Sequence, residues 1–183
     1  MKKIIITSIL VLASVFTLSA RDHYKGFIEA GAAPLAGDKT GYVLSMATSH
    51  GALMDHLFVG GGIGVDSYSV KYTLDEDYPG FDPKHDKRIS GVAIPMFVNV
   101  KGMWERNALS PVVDFKAGVT AGFVTGLFGE IGGGFRLRLD NRKGLSANLF
   151  AKAAAEPKKA VKNDSSLEEG QFVQLGVKLA LDF

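Results

Sequence analysis

The chain has 183 residues, enough for one domain, and contains no cysteine, which excludes a disulfide framework and a lipid attached through an N-terminal cysteine. Its formal charge of +2 falls to zero when residues 1–20 are set aside, because Lys2 and Lys3 are then lost. A neutral chain gives no electrostatic basis for binding nucleic acid, and we expect no partner of that kind.

The N-terminus has the organisation of a secretory signal peptide. Two lysines are followed by the apolar segment Ile4–Leu18, and the small residues Ser19-Ala20 precede a polar stretch. The apolar segment is too short for a membrane helix, and no later run approaches the roughly 18 residues that such a helix needs. We therefore predict a signal peptide at residues 1–20 and a single domain at residues 21–183.

Alternating apolar and polar residues then predict eight strands, because period-two alternation is typical of a strand with one apolar face. The predicted strands are Tyr24–Leu35, Gly41–Ser49, Phe58–Tyr72, Ile89–Trp104, Pro111–Val124, Leu127–Leu139, Leu145–Ala153 and Gln171–Phe183. Among the connections, His50–Leu57 is short, whereas Thr73–Arg88 and Ala154–Gly170 are long and charged. Pro95, inside the fourth predicted strand, predicts a bulge or bend there.

The fifth and eighth predicted strands show the two faces most clearly. In the fifth, Asp114 and Lys116 alternate with Val113, Phe115 and Ala117. In the eighth, every odd position is apolar: Val173, Leu175, Val177, Leu179, Leu181 and Phe183. Each of these strands therefore has one apolar face and one polar face.

Two architectures accommodate such strands. In a soluble β-sandwich the apolar faces meet each other, whereas in a membrane barrel they meet lipid and the polar faces line the interior. The apolar faces span about 9–11 residues, the length that a tilted strand needs to cross the hydrocarbon. Alternate connections are short, and the two longest fall at the same end, which is the barrel pattern. We therefore predict an all-β, eight-stranded antiparallel up-and-down transmembrane β-barrel with both termini in the periplasm.

Several segments also resemble a known family. The chain ends on Phe183, with Leu179 and Leu181 at alternate positions before it, which resembles the C-terminal signature that the outer-membrane assembly machinery reads. Further segments are Thr48-Ser49-His50-Gly51, Leu57-Phe58-Val59-Gly60-Gly61-Gly62-Ile63-Gly64-Val65 and Ile94-Pro95-Met96-Phe97. Together they resemble the small outer-membrane β-barrels of the OmpA/OmpX-like and porin-like type, some of unknown function. The resemblance implies a fold and a location in a Gram-negative cell envelope, and it implies no catalytic residue.

The inward faces of such a barrel carry the candidate site. An eight-stranded barrel is just wide enough to be filled by side chains, so we expect no open pore. We expect the inward charges to form a salt-bridged network that offsets their desolvation. They are Asp66, Lys101, Asp114, Lys116, Glu130, Arg136, Arg138 and Lys178. Neutralising Glu130 is expected to leave Arg136 or Lys178 without a counter-charge; a selective conduit or buried binding site is the alternative use of these residues.

Two aromatic residues lie at the ends of predicted strands. Tyr72 is near the outer end of the third strand, and Trp104 is at the periplasmic end of the fourth. Membrane barrels carry girdles of aromatic residues at both interfaces with water. We therefore predict that Tyr72 and Trp104 are interface aromatics.

The first long loop has a spacing similar to a calcium-binding loop, with Pro79 at the fifth ligand position. The residues concerned are Asp75, Asp77, Gly80, His85 and Asp86. A solvated loop is the simplest interpretation, and loose bridging of divalent ions or lipopolysaccharide is the alternative.

Lipid-modifying barrels use His, Ser and acidic residues near a membrane rim. The pairs Ser49-His50 and His85-Asp86 are the clusters of that kind in this chain. No G-x-S-x-G motif is present, and the four histidines lack metal-ligand spacing. We therefore predict no catalytic residue, no metal and no cofactor.

The sequence thus predicts a monomeric outer-membrane barrel with a structural, adhesive or surface-binding role, displayed through its two long loops. The expected partners are outer-membrane lipid and lipopolysaccharide, and the barrel-assembly machinery, which binds the C-terminal strand. A barrel enzyme that modifies outer-membrane lipid and a soluble periplasmic lipocalin-like binding barrel are the alternatives.

Overall fold

The computed structural model describes residues 24–36, 40–72, 87–104, 107–140, 143–155 and 171–183. The predicted signal peptide and most of the two long predicted loops lie outside the described residues. The same holds for the candidate loop residues Asp75, Asp77, Gly80, His85 and Asp86. Within the described ranges, no helix is long and apolar enough to cross a membrane.

The described residues form one closed sheet. Its strands are β1 (Tyr24–Ala36), β2 (Thr40–Met54), β3 (Leu57–Tyr72), β4 (Lys87–Met103), β5 (Leu109–Gly122), β6 (Gly126–Arg138), β7 (Gly144–Ala155) and β8 (Gln171–Asp182). Consecutive strands pair antiparallel, and β8 returns to pair with β1. The predicted eight-stranded, up-and-down antiparallel barrel is confirmed.

The pairing register is staggered around the ring. A circuit of paired residues leaves Phe27 and passes through Ser49, Gly62, Phe97, Gly118, Phe128, Ala154 and Phe172. Phe172 is adjacent to Val173, which pairs with Ala36, so the circuit returns to β1 about ten residues beyond its start. This stagger tilts the strands and gives a ring of eight strands an interior that side chains can fill.

The connection between β2 and β3 is shorter than the sequence predicts. The predicted connection His50–Leu57 is wrong, because β2 continues to Met54 and only Asp55 and His56 form the turn. Asp55 has a φ of 51°, a left-handed conformation that aspartate tolerates in tight turns. Gly51 pairs with Gly60 inside the ladder and is not the start of a turn.

Pro95 does not cause the bulge that the sequence predicts. The register between β3 and β4 is the same on both sides of it, with Ile63 opposite Met96 and Asp66 opposite Ala93. A bulge inserts an extra residue and would change that register. A Cβ on Gly64 would lie 3.2 Å from the Cγ of Pro95, so the glycine makes room for the proline ring on the neighbouring strand.

Apolar side chains fill both ends of the barrel interior. At the end that carries the chain termini, the terminus end, the buried cluster is Phe27, Phe58, Met103 and Val112. At the opposite end, the loop end, the buried cluster is Leu35, Val43, Tyr68, Val70, Ala93, Phe97, Val124, Phe128 and Ala154. The buried charges from the middle of the strands lie between these two clusters.

Candidate functional site

Buried charges define the candidate site. Eleven charged side chains are buried in the described strands, none more than 8% exposed. They are Lys25, Glu29, Asp66, Lys101, Asp114, Lys116, Glu130, Arg136, Lys152, Lys178 and Asp182. They occupy inward positions of seven strands, because alternate residues of a strand point to opposite faces of the sheet. Many outward neighbours of these residues, such as Val113 and Phe115, are apolar and exposed.

Six of these residues form a central cluster of three carboxylates and three lysines. Its members are Glu29, Asp114, Glu130, Lys101, Lys116 and Lys178. The two carboxylate oxygens of Glu29 accept hydrogen bonds from different lysines, Lys101 at 2.7 Å and Lys116. The carboxylate of Glu130 accepts a hydrogen bond from Lys178 and lies 3.4 Å from the Nζ of Lys116. The cluster is therefore a closed, charge-balanced network.

Asp114 holds the cluster together without a hydrogen bond of its own. One carboxylate oxygen lies 3.7 Å from Lys101 and 3.8 Å from both Lys116 and Lys178. Neither oxygen has a hydrogen-bond partner among the described residues. Since burying a carboxylate costs several kcal/mol unless charge compensates it, the three surrounding ammonium groups account for its place inside the barrel.

Two smaller ion-pair groups flank the central cluster. Towards the loop end, Lys152 contacts Asp66 at 2.5 Å, and the Tyr68 hydroxyl donates to the same carboxylate at 3.4 Å. Towards the terminus end, Arg136 donates two hydrogen bonds to Asp182, at 2.6 and 2.8 Å. Lys25 lies 2.8 Å from Asp182 and completes this group.

Inward phenylalanines lie against the buried lysines. The Nζ of Lys101 is 4.1 Å from the ring centre of Phe27, and the Nζ of Lys178 is 4.8 Å from that of Phe150. Lys116 and Lys152 lie over two further rings, those of Phe97 and Phe128, at 5.0 and 4.7 Å. These cation–π contacts stabilise ammonium groups that are buried away from bulk solvent, and they join the charged layer to the apolar clusters.

Seven of the eight predicted interior charges are buried, and Arg138 is the exception. It is the last residue of β6, and its side chain is exposed to solvent at the terminus end. Of the two partners expected for Glu130, Arg136 or Lys178, the structure shows Lys178, and Glu130 also lies near Lys116. Arg136 pairs with Asp182.

Four interior charges escaped the sequence prediction: Lys25, Glu29, Lys152 and Asp182. Glu29 matters most, because it joins Lys101 to Lys116. On β1 it is flanked outward by Ile28 and Ala30 and followed by Gly31, so the contrast between the two faces is weak. Lys152 and Asp182 could have been predicted as interior charges, because both occupy the polar face of a strand with clear alternation.

A small void lies within the charged layer of the described strands. The cavity measures about 20 Å³ and is lined by charged groups of Glu29, Asp66, Glu130, Lys116, Lys152 and Lys178, among others. That volume suits about one water molecule, and its polar lining supplies several partners for it. The geometry of the interior is therefore suited to stabilising the barrel wall from the inside.

Ser49 and His50 lie on opposite faces of β2. Ser49 is buried inside the barrel, where its hydroxyl accepts a hydrogen bond of 3.3 Å from the Asn99 side chain. His50 points outward, 2.5 Å from the Tyr24 hydroxyl and 2.9 Å from that of Thr48. A nucleophile and its base must lie within hydrogen-bond reach, so this pair does not form a catalytic couple. His85-Asp86, the other candidate pair, is outside the described residues.

The outward His50 belongs to a cluster that covers the junction of β1 and β8. Its ring centre is 6.3 Å from that of the C-terminal Phe183. The backbones of Phe183 and Gly26 exchange two hydrogen bonds of 3.0 Å. A Cβ on Gly26 would lie 2.7 Å from the Phe183 ring, so the ring rests directly on the glycine. We call Tyr24, Thr48, His50, Gly26 and Phe183 the seam cluster.

The remaining predicted site residues are on the outside or beyond the described side chains. Leu179, Leu181 and Phe183, the predicted assembly signal, point outward from the end of the chain and are 39–58% exposed. Trp104 directly follows β4 and is 44% exposed at the terminus end. Tyr72 is the last residue of β3, and its side chain is outside the part of the chain that the structure describes.

The barrel is similar to solved membrane barrels. Its match to Neisserial surface protein A has a TM-score of 0.51 and 9% sequence identity, and covers 87% of this chain and 97% of that one. The fold is that of a small outer-membrane β-barrel. Two structures of designed transmembrane β-barrels match with TM-scores of 0.44 and 0.40 and identities of 12% and 15%, over 88% and 87% of this chain and 95% of each of theirs. No protein-family model and no curated protein matches the sequence.

Proposed function

We propose that the protein is a monomeric outer-membrane barrel with a closed interior and a structural, adhesive or surface-binding role. The observation that supports this most strongly is the reversal of ordinary polarity. Outward side chains such as Leu127, Leu149 and Ile131 are 75%, 70% and 63% exposed. On the same two strands, Glu130, Arg136 and Lys152 are buried. Exposed apolar surface on this scale needs an apolar environment.

Closure of the sheet supports the same location. Because β1 pairs with β8, no strand edge is left open along the ring. An unpaired backbone group in hydrocarbon costs several kcal/mol, which is why closed barrels and helices are the structures that span membranes. A soluble lipocalin-like barrel would place the apolar faces inside, where this chain has its charged network.

The filled interior supports a role other than transport. The central cluster occupies the middle of the barrel, and apolar clusters pack on both sides of it. Opening a passage would require three lysines and three carboxylates to separate inside a low-dielectric wall, where breaking one buried ion pair costs about 3–5 kcal/mol. The proposed role is therefore exercised at the surface.

The proposed orientation places the termini in the periplasm and the loop end at the cell surface. Residues 73–86 and 156–170 connect strands at the loop end and are the longest connections between the described strands. These loops would carry the adhesive or surface-binding function, next to outer-membrane lipid and lipopolysaccharide. Leu179, Leu181 and Phe183 would present the C-terminal strand to the assembly machinery.

The location is tested by gel mobility of detergent-extracted protein, boiled against unboiled, together with membrane fractionation. A folded membrane barrel resists mild detergent, so we expect fractionation with the outer membrane and a shift in mobility after heating. Recovery in the soluble periplasmic fraction without a heat-dependent shift would support the lipocalin-like alternative and refute the proposal.

The closed interior is tested by conductance measurements in planar bilayers. Wild-type protein that has passed the gel-mobility test should show no steady conductance above the empty bilayer, with a known porin as the positive control. A stable ohmic conductance that is absent from a control preparation made without the protein would show an open pore and refute the closed interior.

A further inference from the structure

We infer that the junction between β1 and β8 contains a lateral gate at the loop end, which opens locally and admits water to the interior void beside Gln174. The gate is the stretch in which residues 33–36 of β1 face residues 173–176 of β8. The inference goes beyond the proposed function, because it concerns a movement of the barrel wall and not the role of the surface loops.

One hydrogen bond is missing from the ladder in the gate. At the terminus end Gly26 and Phe183 exchange two backbone hydrogen bonds, and such pairs recur at every second residue of an antiparallel ladder. The register makes Pro34 and Leu175 a pair of the same kind. Because proline has no N–H, Pro34 cannot donate to the Leu175 carbonyl, and pairing between the described strands is interrupted at this point. A water molecule can satisfy that carbonyl.

The position of Pro34 distinguishes this gap from the one at Pro95. Pro95 interrupts the pairing of β4 with β3 in the same way, but seven further pairs follow it towards the loop end. Beyond Pro34, two pairs of described residues remain before β1 ends. A short stretch at the end of a ladder opens at low free energy, so β1 can separate from β8 here.

The terminus half of the same junction is held much more firmly. Inside the barrel, Lys25 of β1 lies 2.8 Å from Asp182 of β8, and Glu29 lies 3.8 Å from Lys178. Outside, the seam cluster covers the junction. The eight residues of the gate include no charged side chain that could form such ion pairs. Opening should therefore begin at the loop end and stop before Glu29.

The interior void lies directly behind the gate. Ala33 of β1 and Gln174 of β8 both line it. The side-chain nitrogen Nε2 of Gln174 is buried and has no hydrogen-bond partner among the described residues. Buried amides in native proteins are nearly always satisfied by protein or by ordered water, and the void has room for about one water molecule. A water that enters through the gate can accept this hydrogen bond.

Phe150 covers the inner side of the gate. A Cβ on Gly176 of β8 would lie 2.9 Å from Cε1 of the ring, and a Cβ on Gly31 of β1 would lie 3.5 Å from the same atom. At these two positions the ring lies against backbone, so it does not interlock with a side chain of either strand. The central cluster lies beyond the ring and stays intact when the gate opens. Water can therefore enter the void without a passage forming through the barrel.

Hydrogen exchange of the folded, detergent-solubilised wild type tests the gate. Neighbouring amides of β8 face different strands, since that of Leu175 faces β1 and that of Gly176 faces β7. The pairing of β7 with β8 is unbroken from Ala155 to Gly144. An open gate exposes the first amide and leaves the second protected, so Leu175 should have the lower protection factor. General fraying of β8 would lower both equally and overturn the inference.

Pro34→Ala supplies the missing N–H and should hold the gate closed. One backbone hydrogen bond corresponds to about a fivefold change in an opening equilibrium, so the protection factor of Leu175 should rise about fivefold. Pro95→Ala is the matched control, because it supplies the same donor in the interior of another ladder. It should leave Leu175 as it is in wild type.

Entry of water is tested by exchange of side-chain amide hydrogens in the same samples. The amide of Gln174 should exchange faster than that of Asn99, which is buried and donates to Ser49 at the terminus half. Pro34→Ala should slow the exchange of Gln174 about fivefold and leave that of Asn99 unchanged.

Two further results would overturn the inference. One is an unchanged protection factor of Leu175 in Pro34→Ala protein that gel mobility shows to be folded. The other is a Gln174 side chain that exchanges no faster than Asn99 in wild type. If Pro34→Ala does not fold, the two comparisons within wild type still decide the question.

Discussion

The inner and outer faces of the barrel use the same backbone but opposite chemistry. On β5, Val113 and Phe115 point outward and are 50% and 51% exposed, whereas Asp114 and Lys116 between them are each 3% exposed. A water-soluble sheet buries its apolar face and exposes its charged one. The difference teaches that the outer face depends on an apolar surrounding and the inner face on mutual charge compensation. Each face can therefore be broken separately.

The largest effect is expected inside, at Glu29. Replacing Glu29 by Gln removes the carboxylate that Lys101 and Lys116 share and leaves the central cluster with an excess positive charge. Breaking a buried ion pair by removal of one partner costs about 3–5 kcal/mol, and we expect a loss of unfolding free energy in that range. Urea titration in phospholipid vesicles, followed by gel mobility, measures it.

Glu130→Gln is the matched variant, and it should cost less than Glu29→Gln. Glu130 accepts a hydrogen bond from one lysine, Lys178, whereas Glu29 accepts hydrogen bonds from both Lys101 and Lys116. An unfolding free energy of Glu29→Gln equal to that of wild type would show that the buried charges do not compensate one another.

A somewhat smaller effect is expected outside, at Leu149. This residue is near the middle of β7 and is 70% exposed on the outer face. An arginine on the lipid face at the bilayer midplane costs about 2–4 kcal/mol, so Leu149→Arg should lower the unfolding free energy by that amount in vesicles. Leu149→Met is the control of similar volume. If Leu149→Arg and Leu149→Met are equally stable, the outer face does not meet hydrocarbon.

The seam cluster should respond more weakly to substitution. His50→Ala removes contacts to the hydroxyls of Tyr24 and Thr48 and the ring that faces Phe183, and should cost about 1 kcal/mol. Local opening should appear as faster hydrogen exchange of the Gly26 amide, which donates to Phe183. His56→Ala, in the exposed β2–β3 turn, is the control. Unchanged exchange at Gly26 would contradict a stabilising role for the cluster.

The smallest effect is expected at Arg138. Because its side chain is exposed at the end of β6, Arg138→Gln should change the unfolding free energy by less than about 0.5 kcal/mol. The measurement is the urea titration used for Glu29. A loss comparable to that of Glu29→Gln would mean that Arg138 belongs to the interior network after all.

Alternation in the sequence was sufficient to predict the fold and the sidedness of most strands. It worked best for β5 and β8, where large apolar residues alternate with charged ones. On β1, small residues such as Ala30 and Gly31 occupy both faces, so the inward position of Glu29 had no contrast to reveal it. Arg138 is the opposite case, a residue that was predicted to be buried but is exposed. Alternation predicts which face of the strand a side chain is on, but it does not predict whether a side chain at the end of a strand is still enclosed by the barrel.

The partners within the interior could not be predicted in the same way. Asp182 and Arg136 meet although they are on β8 and β6, which are not adjacent in the sheet. Such a contact depends on the stagger of the register and on the reach of each side chain across the barrel. The turn between β2 and β3 requires a residue with a positive φ, and Asp55 takes that role. In the sequence alone, the glycine at position 51 is the stronger candidate for such a conformation, so the turn was predicted too early.

The central claim is that the apolar face contacts lipid and the charged face is enclosed. The most direct test replaces Trp104 by Phe and then introduces a single tryptophan at Phe115, on the outer face, or at Phe97, inside the barrel. In vesicles of lipids with brominated acyl chains, we predict strong quenching of tryptophan fluorescence for Phe115→Trp and little for Phe97→Trp. Quenching of the interior tryptophan by the brominated chains, with the outer one quenched only by aqueous iodide, would contradict the account.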